Sequence, residues 1–148
     1  MSEITPQIKK FLDLQKLGYI ATVSSDGTPN ISPKGTIIGW SKTQLAFADI
    51  RSPDTMTNLK TNPNVEINVI DPLLRKGFLF KGVAKILSNS NPYDDILKHY
   101  RDSGIKSPIG SIVLVDVTDI SEVISPLYDL GISEEEIKLK WKKHFESL

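Results

Sequence analysis

Most of the apolar runs in this sequence follow one another through short polar turns, and that spacing restricts the fold more than any other feature. Antiparallel strands close through a few residues, whereas parallel strands need long crossovers. Tyr19–Ser24 reads as a first strand, and Ser25-Asp26-Gly27-Thr28 is a tight-turn signal of the Asp-Gly kind. The return run spans Pro29 to Trp40, Ser41-Lys42-Thr43 turns it, and Gln44 to Ile50 forms the next strand. Val65–Ile70 alternates apolar and polar with period two and is closed by Asp71-Pro72. Lys76 to Leu87 follows, then the most apolar run, Ser111–Val117, and a further short run, Glu122 to Ser125. The pattern predicts a mainly β protein, a β-barrel of about six antiparallel strands with helices at its margins. A G-x-G-x-x-G or P-loop motif is absent, and with it the usual dinucleotide and nucleoside triphosphate fingerprints.

Two runs break the strand pattern. Asn30-Ile31-Ser32-Pro33-Lys34-Gly35-Thr36 holds a proline, which cannot donate to a ladder, and a glycine, which packs no side chain. An edge, a bulge or a close approach to the backbone would explain both, and Lys34 beside that gap is a candidate anion or carbonyl contact. Gly82 interrupts Lys76–Leu87 in the same way.

Four segments read as helices. Ile4, Ile8, Phe11, Leu12 and Leu14 or Leu17 give an apolar stripe over 4–17, with Thr5-Pro6 as cap and first turn and Gly18 as the stop. Asn91-Pro92 caps a third helix, which carries Tyr93, Ile96, Leu97 and Tyr100 on one side and ends near Ser103-Gly104. His99 on it is read as a surface residue. Ser133 and Glu136 form a capping box for a C-terminal helix over 133–148. Its stripe of Ile137, Trp141, His144, Phe145 and Leu148 predicts docking on the body or on another subunit, while Lys138, Lys140, Lys142 and Lys143 read as a solvated face.

The remaining helix is the one with chemical interest. Leu45-Ala46-Phe47-Ala48 runs as a buried strand into Asp49-Ile50-Arg51-Ser52-Pro53-Asp54-Thr55, then Met56-Thr57-Asn58-Leu59. Ser52 fits an N-cap and Pro53 the first helical position; Asn62-Pro63 ends the helix. A helix start leaves N–H groups unpaired and carries partial positive charge, so it suits an anion. Arg51 adds a full charge, and Ser52, Thr55 and Asn58 add hydrogen-bonding groups. The segment reads either as a phosphate pocket or as a capped connector helix with an exposed arginine.

Composition narrows the function classes. The 148 residues suit one domain over 1–148, with 39% hydrophobic residues for its core. Equal numbers of basic and acidic residues, 18 each, argue against a broad nucleic-acid footprint. With no cysteine there is neither a disulfide nor a thiolate metal site, and two distant histidines, His99 and His144, do not make a metal cluster. The N-terminus lacks signal-peptide character and no apolar run is long enough to span a bilayer, so a cytoplasmic protein that binds no membrane is expected.

In order and local wording, four pieces of the chain resemble the FMN-binding split barrel of the pyridoxamine 5′-phosphate oxidase-like superfamily, over about Phe11 to Val117. They are Gly18–Val23 through Asp26-Gly27 to Pro29; Ser32-Pro33-Lys34-Gly35-Thr36; Phe47–Thr55 with Asn58-Leu59 and Asn62-Pro63-Asn64-Val65; and Gly77–Ala84. The resemblance implies FMN as cofactor and a homodimer with flavin at the subunit interface. The backbone of Ser32, Pro33, Lys34, Gly35 and Thr36 would run along the isoalloxazine. Ala48, Asp49 and Ile50 would line the ring and ribityl chain. Arg51, Ser52 and Thr55 would hold the phosphate with Asn58 close by, and Lys76-Gly77-Phe78 would pass near the ring edge. Family members commonly carry a lysine or arginine immediately before the threonine; here that position is Asp54, unfavourable beside a phosphate unless it points away. Trp141-Lys142-Lys143-His144 does not match the substrate signature of pyridoxamine phosphate oxidase itself. The implied function is a flavin-dependent oxidoreductase acting on a small molecule with NAD(P)H or another donor. The alternatives are a non-catalytic flavin or electron carrier, or a split-barrel module binding F420 or another phosphorylated ligand.

Overall fold

The computed structural model describes residues 2–148, so Met1 of the expected 1–148 domain lies outside it. In chain order the elements are α1 (Pro6–Gln15), β1 (Gly18–Val23), β2 (Pro29–Lys34), β3 (Ile38–Gly39), β4 (Gln44–Asp49), α2 (Pro53–Thr61), β5 (Asn64–Asp71), β6 (Lys76–Leu87), α3 (Tyr93–Asp102), β7 (Ser111–Ile124) and α4 (Glu134–Glu146). A 3₁₀ turn, Pro126–Leu130, precedes α4. Seven strands form one antiparallel sheet in the order β2-β1-β5-β6-β7-β4-β3, curled as a split barrel.

The expected count of six strands becomes seven because the run 29–40 divides. It forms β2 at one edge of the sheet, leaves it through residues 35–37, and re-enters as β3 at the other edge. Pro33 is thereby on an edge strand, where its missing N–H costs no ladder bond. At the other end of the chain the two runs expected at 111–117 and 122–125 are one strand, β7, paired along the whole of β6. Gly82 does sit at a bulge. Lys81 faces Asp119 while Gly82 faces Val117, which leaves Thr118 as the extra residue. A Cβ on Gly82 would lie 2.5 Å from the Asp116 carbonyl oxygen. The Asp-Gly turn also forms as read: Gly27 has φ +87°, and the Asp26 carboxylate accepts from the Ser24 hydroxyl and, at 3.0 Å, the Thr28 amide. Those donors hold the Asp26 carboxyl down at about 2.

The helices differ from expectation at their ends. α1 starts as predicted, with Thr5 Oγ1 accepting from the Ile8 amide at 3.2 Å. It stops not at Gly18 but at Lys16, which takes the left-handed conformation itself at φ 58°. Gly18 already belongs to β1, and its smallness serves packing, since a Cβ there would meet Ile37 Cδ1 at 2.5 Å. Ile4, Ile8 and Leu12 are buried, whereas Leu14 and Leu17 are exposed. α3 begins after Pro92 without a side-chain cap. α4 starts on Ser133, whose hydroxyl accepts from the Glu136 amide at 3.1 Å.

The main core lies inside the barrel: Ile20, Leu45, Phe47, Ile67, Phe80, Val113 and Val115, closed by Ile8 and Leu12 of α1 and by Met56 and Leu59 of α2. A second cluster seats α3 against the other face of β4 and β7, with Ile96 and Tyr100 on Ala46, Ala48, Ile112 and Leu114. β4 is buried on both faces for this reason, and its sequence is correspondingly free of alternation. α4 is held at its first half. Ile137 is buried, and the Arg75 guanidinium lies 3.5 Å over the Trp141 ring. Phe145 and Leu148 are exposed.

Candidate functional site around the start of α2

β2 and β4 end close together, and the chain turns from β4 into α2 beside them. This local geometry gathers most of the residues singled out above. Lys34, the last residue of β2, is only 8% exposed. Among the described residues its ammonium has no carboxylate within ion-pair distance, although the Asp49 carboxylate at the end of β4 is near enough to act on it. Burial pushes the Lys34 ammonium below the ordinary lysine range, and the charge of Asp49 opposes that fall.

Asp49 also determines how α2 begins. The Ser52 hydroxyl donates to the Asp49 carboxylate at 3.0 Å instead of accepting from the helix, so the expected Ser52 side-chain cap does not form. The first amides of α2 are left without a side-chain partner, and Pro53 at the first position contributes no N–H. One turn in, Thr55 is 1% exposed and its Oγ1 has no hydrogen-bond partner among the described residues. A buried hydroxyl in that state costs about 1–3 kcal/mol. Asn58, next on the same side, is buried and donates from Nδ2 to Thr22 Oγ1 at 3.0 Å, tying α2 to β1.

Other expected site residues fall into a second, structural group. Thr36 Oγ1 accepts from the Ala48 amide at 3.0 Å, and the Thr36 carbonyl accepts from the Tyr100 hydroxyl at 2.7 Å. Thr36 thus clamps the linker between the two sheet edges onto β4 and α3. Tyr100 is almost fully buried, and burial pushes its phenol far above the ordinary tyrosine range. It is a fixed hydrogen-bond donor. Sequence reading placed Tyr100 on the apolar side of α3 and missed this bond; the available signal was that a buried tyrosine hydroxyl needs an acceptor. Thr22 was missed as well. Ser32 is half-buried, while Pro33, Gly35, Ile50 and Arg51 are exposed around the gathered residues. Asp54 is exposed.

Of two concavities, one adjoins this region and the other lies by α1 and the turn between β5 and β6. One, of about 240 Å³, has Gly35 and Thr36 on one wall and His99, Tyr100 and Ser103 of α3 on another, with Lys16 at the end of α1. His99 is exposed there, with its ring edge-on to Trp40 and Tyr100 at 6.2 Å each. The second, of about 300 Å³, is lined by Phe11, Leu74, Gly77, Phe78 and Ile124.

A phosphate fits the start of α2 on three counts: uncapped helix amides, a nearly buried ammonium, and a buried hydroxyl lacking a partner. The acidic pair Asp49 and Asp54 is the feature that opposes it.

The profile of the family described as pyridoxamine 5′-phosphate oxidase matches residues 4–123. Among solved structures, HupZ of Group A Streptococcus is 26% identical, with a TM-score of 0.74 over 82% of this chain and 95% of that one. An FMN-binding protein of Syntrophomonas wolfei is 15% identical, with a TM-score of 0.69 over 80% and 84%. A structure described as F420 Reductase is 24% identical, with a TM-score of 0.59 over 79% and 98%. No curated protein matches the chain. With a family profile spanning α1 to β7 and the same split barrel in these relatives, the chain belongs to the pyridoxamine 5′-phosphate oxidase family.

Proposed function

We propose that this protein binds FMN at the start of α2 and works as a flavin-dependent oxidoreductase on a small molecule, with NAD(P)H or another donor. The observation that carries the reading is the set of groups there left unsatisfied among the described residues: Lys34 nearly buried without an ion pair, and Thr55 Oγ1 buried without a partner, beside helix amides that no side chain caps. Each is costly alone and is relieved by one anion. In this reading Lys34 and Thr55 hold the phosphate and Arg51 closes it from solvent. Ser52 and Asn58 fix α2 in place through Asp49 and Thr22. Ser32, Pro33, Gly35, Thr36, Ala48 and Ile50 supply backbone and apolar surface along the ring, with Thr36 keeping that wall rigid through its bonds to Ala48 and Tyr100. Bound FMN would supply the hydride and electron chemistry, and the chain supplies binding and electrostatics.

The concavity walled by Gly35, Thr36 and His99 is the place for a small substrate, because it shares its wall with the proposed ring-binding segment. A cytoplasmic homodimer with flavin at the interface completes the reading. It is supported by exposed Tyr19, Ile31 and Val83 on one sheet face, an apolar surface of the kind that marks an interface. Among the described residues no helix is long and apolar enough to cross a membrane.

The test is direct. Protein purified without added cofactor should show the two-peak visible band of an oxidised flavin, or acquire it with added FMN. Consumption of NADH or NADPH with an acceptor then separates an enzyme from an electron carrier. A colourless protein that ignores FMN removes the reading.

A further inference from the structure

The phosphate seat is electrically unusual. Its fixed charges are Lys34 at the end of β2, Asp49 at the end of β4, and Arg51 and Asp54 at the start of α2: two positive and two negative. Beside Gly35, the adjoining concavity carries Asp13 and Lys16 of the α1 end and His99 of α3, all exposed to solvent and screened. β1 has no charged residue, and Lys60 lies at the far end of α2. On β6, Lys76 is paired with Glu134 at 3.4 Å, Lys81 with Glu66 at 3.6 Å and Lys85 with Asp116 at 3.0 Å. Of the two cations only Lys34 is sheltered from solvent; Arg51 is exposed and screened. Of the two anions, Asp49 is half-buried and bonded to Ser52 in the turn itself.

We infer that this seat selects a phosphate bearing one negative charge, a diester or a protonated monoester, over a dianionic monoester, and that Asp49 sets the preference. The inference rests on the flavin reading above. A first negative charge gains from Lys34, from the Thr55 hydroxyl and from the partial positive charge of the helix start. A second negative charge gains only from Arg51, exposed and screened by solvent, and faces the half-buried Asp49 carboxylate, while its desolvation still has to be met. The ligand class is therefore a flavin whose phosphate carries a further substituent, with FMN itself bound best when singly ionised.

The experiment compares three probes by fluorescence titration of the intact protein: FMN, its phosphate monomethyl ester and riboflavin. A phosphate monoester loses its second proton near pH 6. FMN should therefore bind about five- to tenfold more weakly at pH 8 than at pH 5.5, since about three-quarters of a unit of charge is added across that range. The methyl ester, singly charged throughout, should bind equally at both pH values and more tightly than FMN at pH 8. Its flat profile also shows that Lys34 stays charged. Riboflavin should bind more weakly than the ester. Asp49→Asn, which keeps an oxygen for Ser52, should remove the weakening of FMN at pH 8. Asp54→Asn, at an exposed position, should do so in part and guards against a folding defect in the first variant. FMN binding as tight at pH 8 as at pH 5.5, or tighter than the ester, overturns the inference and leaves the flavin reading standing. Failure of all three probes at both pH values overturns the flavin reading and the inference with it.

Discussion

At the scale of single residues, the candidate site is a set of groups whose needs the chain alone does not meet. Thr55 makes this testable. Thr55→Val keeps the shape and removes the orphaned hydroxyl, so the unliganded protein should be equally or more stable in urea, while FMN affinity drops by about 1–2 kcal/mol. A purely structural threonine would lose stability instead. Lys34 carries a pH signature. An ammonium whose pKa falls on folding penalises the folded state while it is charged, and the penalty lifts as pH rises from its folded value toward the unfolded 10.5. Wild-type stability without ligand should therefore rise relative to Lys34→Met as pH approaches 10.5, and the difference should shrink when FMN is bound. Parallel urea titrations of the two proteins between pH 7 and 10 would check it. Sequence reading identified these residues because helix-start chemistry is local: proline, hydroxyls and an arginine within a few positions. It misjudged Ser52, because the competing acceptor, Asp49, is chosen by the turn's three-dimensional path. It could not see that Lys34 ends up buried, since burial is set by β4 and α2 arriving from elsewhere in the chain.

At the scale of elements, the predicted order of helices and strands holds, and its errors cluster where one element is shaped by another. Whether the run 29–40 is one strand or two depends on which sheet edge each half joins, and edges are non-local. Gly82 was legible as a break; the structure supplies the reason, the close approach of the Asp116 carbonyl from β7. Because that neighbour is backbone, a side chain is accommodated only by displacing the longest pairing in the sheet. Gly82→Ala should destabilise by about 1–3 kcal/mol, as other overpacked positions do, with an unchanged denaturant slope. An effect within about 0.5 kcal/mol of zero would mean the bulge relaxes freely. Gly18 teaches the converse. It reads as a helix stop, yet the left-handed position is taken by Lys16, and Gly18 is small because Ile37 and Val69 press on it.

At the scale of the whole molecule, the sheet has one face filled by the barrel core and another that carries Tyr19, Ala21, Ile31, Glu66, Asn68 and Leu79 around a shallow depression. Ile31 is 68% exposed there, on an edge strand. An apolar edge left to water invites pairing with another chain, and the charge of a single aspartate is enough to discourage it. Sedimentation equilibrium should find a dimer at micromolar concentration, and Ile31→Asp should move the equilibrium toward monomer. Ile31 lies on the strand that runs into Lys34, so a flavin site shared between copies makes a second demand: FMN affinity should fall in the variant in step with the loss of dimer, and recover at high protein concentration. If Ile31→Asp is monomeric yet binds FMN as the parent does, each protomer holds its flavin alone, and the unsatisfied groups around Lys34 and Thr55 account for the whole site.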